Sequence, residues 1–305
     1  MCLKFRTKPD WRFSKVHALV HSGGGANGAW GVGVLQHLFG ELGIEPKFWV
    51  GTSVGGLNGA LVCMFPVGME MAALAHTMLV WEKVHPKLIY KHFWPGGDLG
   101  DMRGAVCKHS VYNTTPFEKF VRQQLDVAKL RASGRPLYVS VVDLATGELI
   151  YVDQNHEDIC GGIIGTASYP LFFPPTKFDG RLVSDGGLKE ITPLQKAVEL
   201  GATYIDVISC QPATCNDFDA GGKVTLEVGP RYLEIMSTEI NNNDLRYDPI
   251  TGPKITIRLW QPPEGLGNGL DFSQDKAQRL RKWGFEYAKS MGNVGTRTWT
   301  IGGRD

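Results

Sequence analysis

Phe48-Trp49-Val50-Gly51-Thr52-Ser53-Val54-Gly55-Gly56 is the stretch on which the fold of this chain turns. Phe48-Trp49-Val50 suits a buried strand, and the apolar run from Val54 to Phe65 suits a buried helix. Between them, Gly51 to Gly55 fits G-x-S-x-G. The chemistry of that pattern needs a serine on a sharp strand-to-helix turn, with small neighbours that let the backbone bend and the hydroxyl stand clear. A helix N-terminus at the same point favours negative charge developing on a substrate. By itself the motif is weak in a chain with 38 glycines, where it also describes a glycine-rich turn with a helix-capping serine. The strand before it and the helix after it favour a nucleophile.

One unit upstream the same alternation occurs. Val16 to Val20 reads as a strand, Ser22 to Gly25 as a turn, and Ala26 to Leu42 as a helix with Trp30, Val34, Leu35, Leu38 and Leu42 at helical spacing. The turn carries Gly23-Gly24-Gly25-Ala26-Asn27-Gly28. Consecutive glycines let backbone N–H groups converge at a helix N-terminus, a geometry that suits a tetrahedral oxyanion or a phosphate. Gly23, Gly25 and Gly28 satisfy G-x-G-x-x-G, and Glu45 lies near the spacing of a ribose-binding acid, so this site alone favours a dinucleotide. A Walker loop is excluded, because no Gly-Lys-Ser/Thr follows. The serine turn one βα unit later, which a dinucleotide domain does not need, shifts the balance to the oxyanion.

Asp185-Gly186-Gly187 follows Arg181-Leu182-Val183-Ser184. Asp-Gly is a favoured hairpin turn, and the stretch taken alone reads as one. A serine nucleophile, however, needs a base. In an α/β-hydrolase the order is Ser, acid, His, yet all eight histidines (17, 21, 37, 76, 85, 92, 109 and 156) precede Asp185. His156 has only upstream acids such as Asp143 or Asp153 to pair with. A carboxylate acting directly on the serine is the simpler proposal, with His17 and His21 the histidines best placed in sequence to contest it.

The rest of the chain is ordinary for a globular α/β protein. Apolar residues make up 43% and charged residues 21%, and the net charge of +1 gives no field for nucleic acid. No run reaches the ~20 apolar residues of a membrane span: Met71 to Trp81 is interrupted by His76 and Thr77. The N-terminus lacks the apolar core of a signal peptide. The expectation is a cytoplasmic protein, peripheral at membranes. Cys2, Cys63, Cys107, Cys160, Cys210 and Cys215 are scattered, which predicts reduced thiols and no metal or other cofactor. Helices are predicted at Glu70–Val84, Pro116–Leu125, Leu194–Leu200 (closed by Gly201) and Ser273–Met291, the last with Leu280, Trp283 and Tyr287 on one face. Strands are predicted at Leu137–Asp143 and Glu148–Asp153, joined at Thr146-Gly147, and at Tyr204–Ser209 and Lys254–Trp260. Strands alternating with helices predict a largely parallel sheet. No linker divides the chain, so residues 1–305 are expected to form a single domain, with 66–110 as a lid or cap and 211–305 as its C-terminal part. The aromatic stretch Tyr90 to Pro95 suits a membrane-interface patch or a piece of core.

A glycine-rich loop, a G-T-S-x-G turn and a distant D-G-G, in that order, resemble the patatin-like phospholipase family. Ala167-Ser168-Tyr169-Pro170-Leu171-Phe172-Phe173-Pro174-Pro175 is similar to the family's segment before the aspartate, Asp143 to Glu148 to its Thr-Gly hairpin, and Thr192-Pro193 with Ala197 to Gly201 to the segment after it. The resemblance covers about residues 15–210. It implies a three-layer α/β/α fold on a mostly parallel sheet and a lipid acyl hydrolase of the phospholipase A or lysophospholipase type. Ser53 and Asp185 would be its dyad, and Gly23, Gly24, Gly25 and Val54 its oxyanion hole. Asn27, Gly28, Gly51, Gly55, Gly186 and Gly187 would support the motifs, and a lipid or phospholipid would be the substrate. One departure stands out: the family usually has Lys or Arg where this chain has Asn27. A neutral amide supplies no positive charge, which predicts weaker oxyanion stabilisation or a preference for less anionic substrates. Two rival readings remain: a nucleotide-binding α/β protein using Gly23 to Gly28, and a non-catalytic lipid-binding relative.

Overall fold

A computed structural model of the chain describes residues 16–93, 108–215, 218, 225–246, 254–291 and 297–301. The apolar run after Val16 forms β1 (His17–His21), and the glycine-rich turn leads through a 3-10 turn into α1 (Gly28–Gln36). The predicted helix to Leu42 ends as a π turn over His37–Glu41. Next come β2 (Phe48–Gly51), α2 (Val54–Cys63) and α3 (Glu70–Trp81). After α4 (Thr115–Gln124), β3 (Leu137–Asp143) and β4 (Leu149–Asp153) form the expected antiparallel hairpin.

Later elements are α5 (Ile159–Thr166), β5 (Thr176–Phe178), β6 (Arg181–Asp185), α6 (Leu194–Glu199), β7 (Tyr204–Ile208) and α7 (Thr225–Asp244). The chain continues with β8 (Ile255–Trp260), α8 (Gln274–Met291) and β9 (Arg297–Ile301).

Among the described residues these nine strands form one mixed sheet, in the order β9-β8-β7-β1-β2-β3-β6-β5, with β4 on the other edge of β3, while Lys91–His92 and Tyr112–Asn113 pair as a separate two-stranded ribbon. The central five, β8 to β3, are parallel, and antiparallel strands close both ends. Period-two alternation sends Leu19 to a large core under α1, α2 and α3, and Ala18 and Val20 to a second core shared with Leu194 and Ala197 of α6. Helices therefore cover both faces, the layering that a buried parallel sheet requires. α8 lies on α1 so closely that a Cβ on Gly33 would stand 2.0 Å from the Arg281 carbonyl oxygen. Among the described residues no helix is long and apolar enough to cross a membrane. The four described cysteines, Cys63, Cys160, Cys210 and Cys215, are free thiols. Cys2 and Cys107 lie outside the described residues, as do residues 94–107 of the expected lid.

The Asp-Gly hairpin reading has the right chemistry at the wrong position. The turn between β5 and β6 is Asp179-Gly180, with φ of 50° and 72°. Positive φ at both central residues is what a tight hairpin turn demands. Asp185-Gly186 instead ends a strand and begins a 3-10 turn.

Candidate active site

β3 organises the site through one of its edges. Residues Leu137 to Val139 pair in parallel with β2, and Val141 to Asp143 pair antiparallel with β6 on that same edge. β2 and β6 thus run toward each other and stop head to head. Gly51 sits opposite Val139 and Asp185 opposite Val141. The turn leaving β2 carries Ser53, so the hydroxyl and the carboxyl meet although 131 residues lie between them in the chain.

Ser53 occupies a conformation that side chains avoid, with φ 55° and ψ −129°. Such a backbone costs on the order of 1–3 kcal/mol and persists only where its surroundings over-determine it. Here the Ser53 N–H donates to Thr166 Oγ1 at 2.9 Å, and the Trp49 indole N–H holds the Gly55 carbonyl at 3.0 Å. Thr52 Oγ1 donates to the Glu190 carbonyl at 3.1 Å and lies 2.8 Å from Ser140 Oγ. Close packing leaves no room for side chains on the flanking glycines: a Cβ on Gly51 would meet Gly55 at 2.5 Å, and one on Gly55 would meet the His21 carbonyl oxygen at 2.0 Å. A Cβ on Gly28 would strike the Val54 side chain.

Asp185 is buried, with its N–H on the Ser168 carbonyl at 3.2 Å and its Oδ1 accepting from the Gly187 N–H at 2.8 Å. Gly186 fits beneath it against Ser140. Burial pushes the Asp185 carboxyl up to about 7, against the lowering pull of the Ser53 hydroxyl and the Gly187 N–H. That is the environment expected of a carboxylate that must accept a proton near neutrality.

The glycine loop faces the same point. The Gly23 N–H is taken by the Ile191 carbonyl at 3.0 Å, so Gly23 shapes the loop and does not offer its N–H to an oxyanion. Among the described residues the N–H groups of Gly24, Gly25 and Val54 have no acceptor, and all three residues line the cavity with Ser53 and Asp185. Gly25 has φ +57°, and the carbonyl oxygen of Gly269 stands 2.4 Å from where its Cβ would be.

Gly269 belongs to a stretch that sequence reading passed over. Gly265-Leu266-Gly267-Asn268-Gly269-Leu270 crosses the glycine loop and accepts the Ala26 N–H on the Gly269 carbonyl at 2.7 Å. Asn27 donates through Nδ2 to the Gly267 carbonyl at 3.2 Å, and its Oδ1 accepts from Lys276 Nζ at 2.8 Å. The alternating glycines were the available signal. Thr166, which fixes the serine backbone, carried none.

The histidines are committed elsewhere. His17 donates to Asp206 at 2.7 Å, within a buried network that includes Arg258. His21 donates through Nδ1 to the Ser22 carbonyl at 3.0 Å, accepts from Asn58 at 3.3 Å, and stacks on Trp49. Burial lowers it to about 4, so it is a neutral core residue. His156 packs on Phe178, and no histidine is among the residues lining the cavity. The ribose acid of the nucleotide reading is misplaced too. Glu45 is exposed before β2 begins, whereas the glycine loop follows the end of the parallel strand β1.

The cavity above Ser53 and Asp185 measures about 870 Å³ and is mainly apolar, walled by side chains such as Leu61, Val80, Phe117 and Phe120. Tyr90 is part of this wall, stacked on Tyr112 at 4.4 Å, so it belongs with the packed interior. Trp94 and Pro95 of the same aromatic stretch lie outside the described residues. Some exposed apolar side chains border the cavity: Leu188 and Met236 line it, and Ile235 and Leu171 are chain neighbours of the lining residues Met236, Pro170 and Phe172. Leu171 is 67% exposed and held at φ 69°.

Comparison with known proteins bears on the family of the chain. The family model described as Patatin-like phospholipase matches residues 19–198. Similar solved structures include VipD from Legionella pneumophila, at 12% identity and TM-score 0.48, covering 94% of this chain and 68% of that one. The type III effector ExoU matches at 12% identity and TM-score 0.36, over 94% of this chain and 55% of ExoU. The ExoU–SpcU complex from Pseudomonas aeruginosa matches at 14% identity and TM-score 0.33, over 94% of this chain and 54% of that chain. The chain thus spans little more than half the length of ExoU.

Proposed function

The chain belongs to the patatin-like phospholipase family, a family of lipid acyl hydrolases, and on that footing we propose that it cleaves acyl esters through a Ser53–Asp185 dyad. The observation that carries this reading is the meeting of a serine strained to φ 55° with a buried carboxyl raised to about 7, at the floor of an apolar cavity. Neither the strain nor the desolvated acid serves stability, and both serve proton transfer.

In the proposed reaction Asp185 accepts the Ser53 proton as Oγ bonds to the ester carbonyl carbon. The carbonyl π electrons move to oxygen, and the resulting oxyanion is held by the N–H groups of Gly24, Gly25 and Val54. Collapse breaks the bond to the alcohol, which leaves with the proton from Asp185. Water then attacks the acyl-serine, gives its proton to Asp185, and Ser53 recovers a proton as the fatty acid departs.

The 870 Å³ apolar cavity suits a long acyl chain, and its rim of Leu171, Leu188, Ile235 and Met236 suits contact with a bilayer from which a lipid is drawn. The described elements pack around one continuous sheet, which supports a single catalytic domain. Turnover of a p-nitrophenyl ester and of phospholipid vesicles by wild type, Ser53→Ala and Asp185→Asn tests the reading. Loss in both folded variants is expected, and full turnover in either rejects the dyad.

A further inference from the structure

Lys276 lies in the first turn of α8 with a side chain only 3% exposed. Its Nζ donates to Asn27 Oδ1 at 2.8 Å and to the Asn268 carbonyl. Among the described residues no carboxylate lies within ion-pair distance of it. A desolvated ammonium without a carboxylate is expensive, and a methionine of similar length would fill the same space at less cost. The ammonium is kept where it meets the catalytic loop. Asn27 lines the cavity beside Gly24 and Gly25, and its own N–H donates to the Gly24 carbonyl at 3.1 Å. Asn268 precedes Gly269, whose carbonyl holds the Ala26 N–H.

We propose that Lys276 is the positioning residue of the oxyanion loop: its charge, relayed through Asn27 and Asn268, fixes the glycine turn and lends it positive potential. The proposal rests on the Ser53–Asp185 reading. It explains why residue 27 is an amide. A lysine or arginine there would face a second ammonium, whereas Asn27 presents an oxygen to Lys276 and an N–H to Gly267. The missing loop charge is thus supplied by a helix 249 residues away in sequence. A charge held away from bulk water, as Lys276 is, acts more strongly on a developing oxyanion than one in solvent. Burial also lowers Lys276 to about 8. Asp271 and Arg279 are the charged groups acting on it, and the glycine loop brings only the neutral Asn27.

The test compares Lys276→Met, Lys276→Arg and the double variant Asn27→Lys/Lys276→Met, with Ser53→Ala as control. Each is assayed on a soluble p-nitrophenyl ester with melting temperatures recorded. Lys276→Met is expected to lose about tenfold in kcat with KM little changed, less than the ~10²–10³ of a directly lost donor. Lys276→Arg and the double variant, which return the charge, should recover most of that loss. The wild-type kcat should fall as pH rises through about 8, and the double variant should carry that decline to higher pH. A folded Lys276→Met with wild-type kcat overturns the proposal, as does a loss that neither returned charge repairs. If Lys276→Met does not fold, Asn27→Leu, which breaks the contact with Lys276, decides: wild-type kcat in a folded Asn27→Leu protein overturns the proposal. Turnover surviving in Ser53→Ala would instead sink the dyad, a distinguishable failure.

Discussion

Asp185 meets Ser53 from a strand that runs against the one delivering the serine, with both strands hung on the same edge of β3. A catalytic acid on a neighbouring parallel strand would stand a full strand width away, about 4.8 Å to the side. Head-to-head strands bring the two turns into line, and the hydroxyl can reach the carboxyl with no histidine between them. The site is therefore a property of sheet topology more than of any single loop.

The strain at Ser53 makes a prediction about stability. Glycine adopts φ 55° freely, so Ser53→Gly relieves on the order of 1–3 kcal/mol of backbone strain and offsets the entropy that glycine adds to the unfolded chain. We expect Ser53→Gly to melt no lower than wild type while ester turnover disappears. A clear drop in melting temperature would show that the conformation is unstrained.

Asp185 predicts a pH signature. A base raised to about 7 is active once deprotonated, so kcat/KM should rise with pH through about 7. The folded carboxyl keeps its proton up to that pH, whereas in the unfolded chain it is released near 3.8, so stability falls as pH rises through this window. Asp185→Asn should then be inactive yet more stable than wild type above pH 7, by on the order of 4 kcal/mol. The gain should vanish below about pH 4, where both states hold the proton. Denaturant melts at three pH values check this, and an Asn variant less stable at high pH would contradict the desolvation argument.

Gly25→Ala should cost activity and stability together. Its φ of +57° disfavours alanine, and a Cβ would push on the Gly269 carbonyl. We expect about a hundredfold loss of kcat from one displaced N–H donor, with a lowered melting temperature. Wild-type kcat in a folded Gly25→Ala protein would return the loop to a purely structural role.

The apolar rim should matter on bilayers and not in solution. Ile235→Glu with Leu171→Gly is expected to leave hydrolysis of a soluble p-nitrophenyl ester near wild type. The same pair should weaken binding to, and hydrolysis of, phosphatidylcholine vesicles several-fold, because exposed apolar surface is removed at Leu171 and replaced by charge at Ile235. Equal turnover of vesicles by wild type and the double variant would remove the rim from the account.

Much of this was legible in sequence because it is local. The strand-turn-helix around Ser53, the glycine turn after β1, the β3–β4 hairpin and the inward face of α8 are each written within a few residues. Asp185 was legible only by elimination and by the order of the three motifs, since the antiparallel entry of β6 has no local signature and the Asp-Gly turn signal belongs equally to Asp179-Gly180. α7 escaped notice because the apolar Tyr232, Ile235 and Met236 are exposed, blurring the helical period. The contact of Asn27 with Lys276 left no trace in the sequence. Their contact spans the chain, and a neutral residue in a motif says nothing about a charge that arrives from another helix.

The most direct measurement of the central claim is the rate and site of labelling by a fluorophosphonate, read by peptide mass spectrometry across pH in wild type, Asp185→Asn and His156→Ala. The dyad predicts a single adduct on Ser53 in wild type and His156→Ala, forming faster as pH rises through about 7. It predicts almost no adduct in a folded Asp185→Asn protein. Labelling of Asp185→Asn at the wild-type rate, or an adduct on any residue other than Ser53, would contradict it.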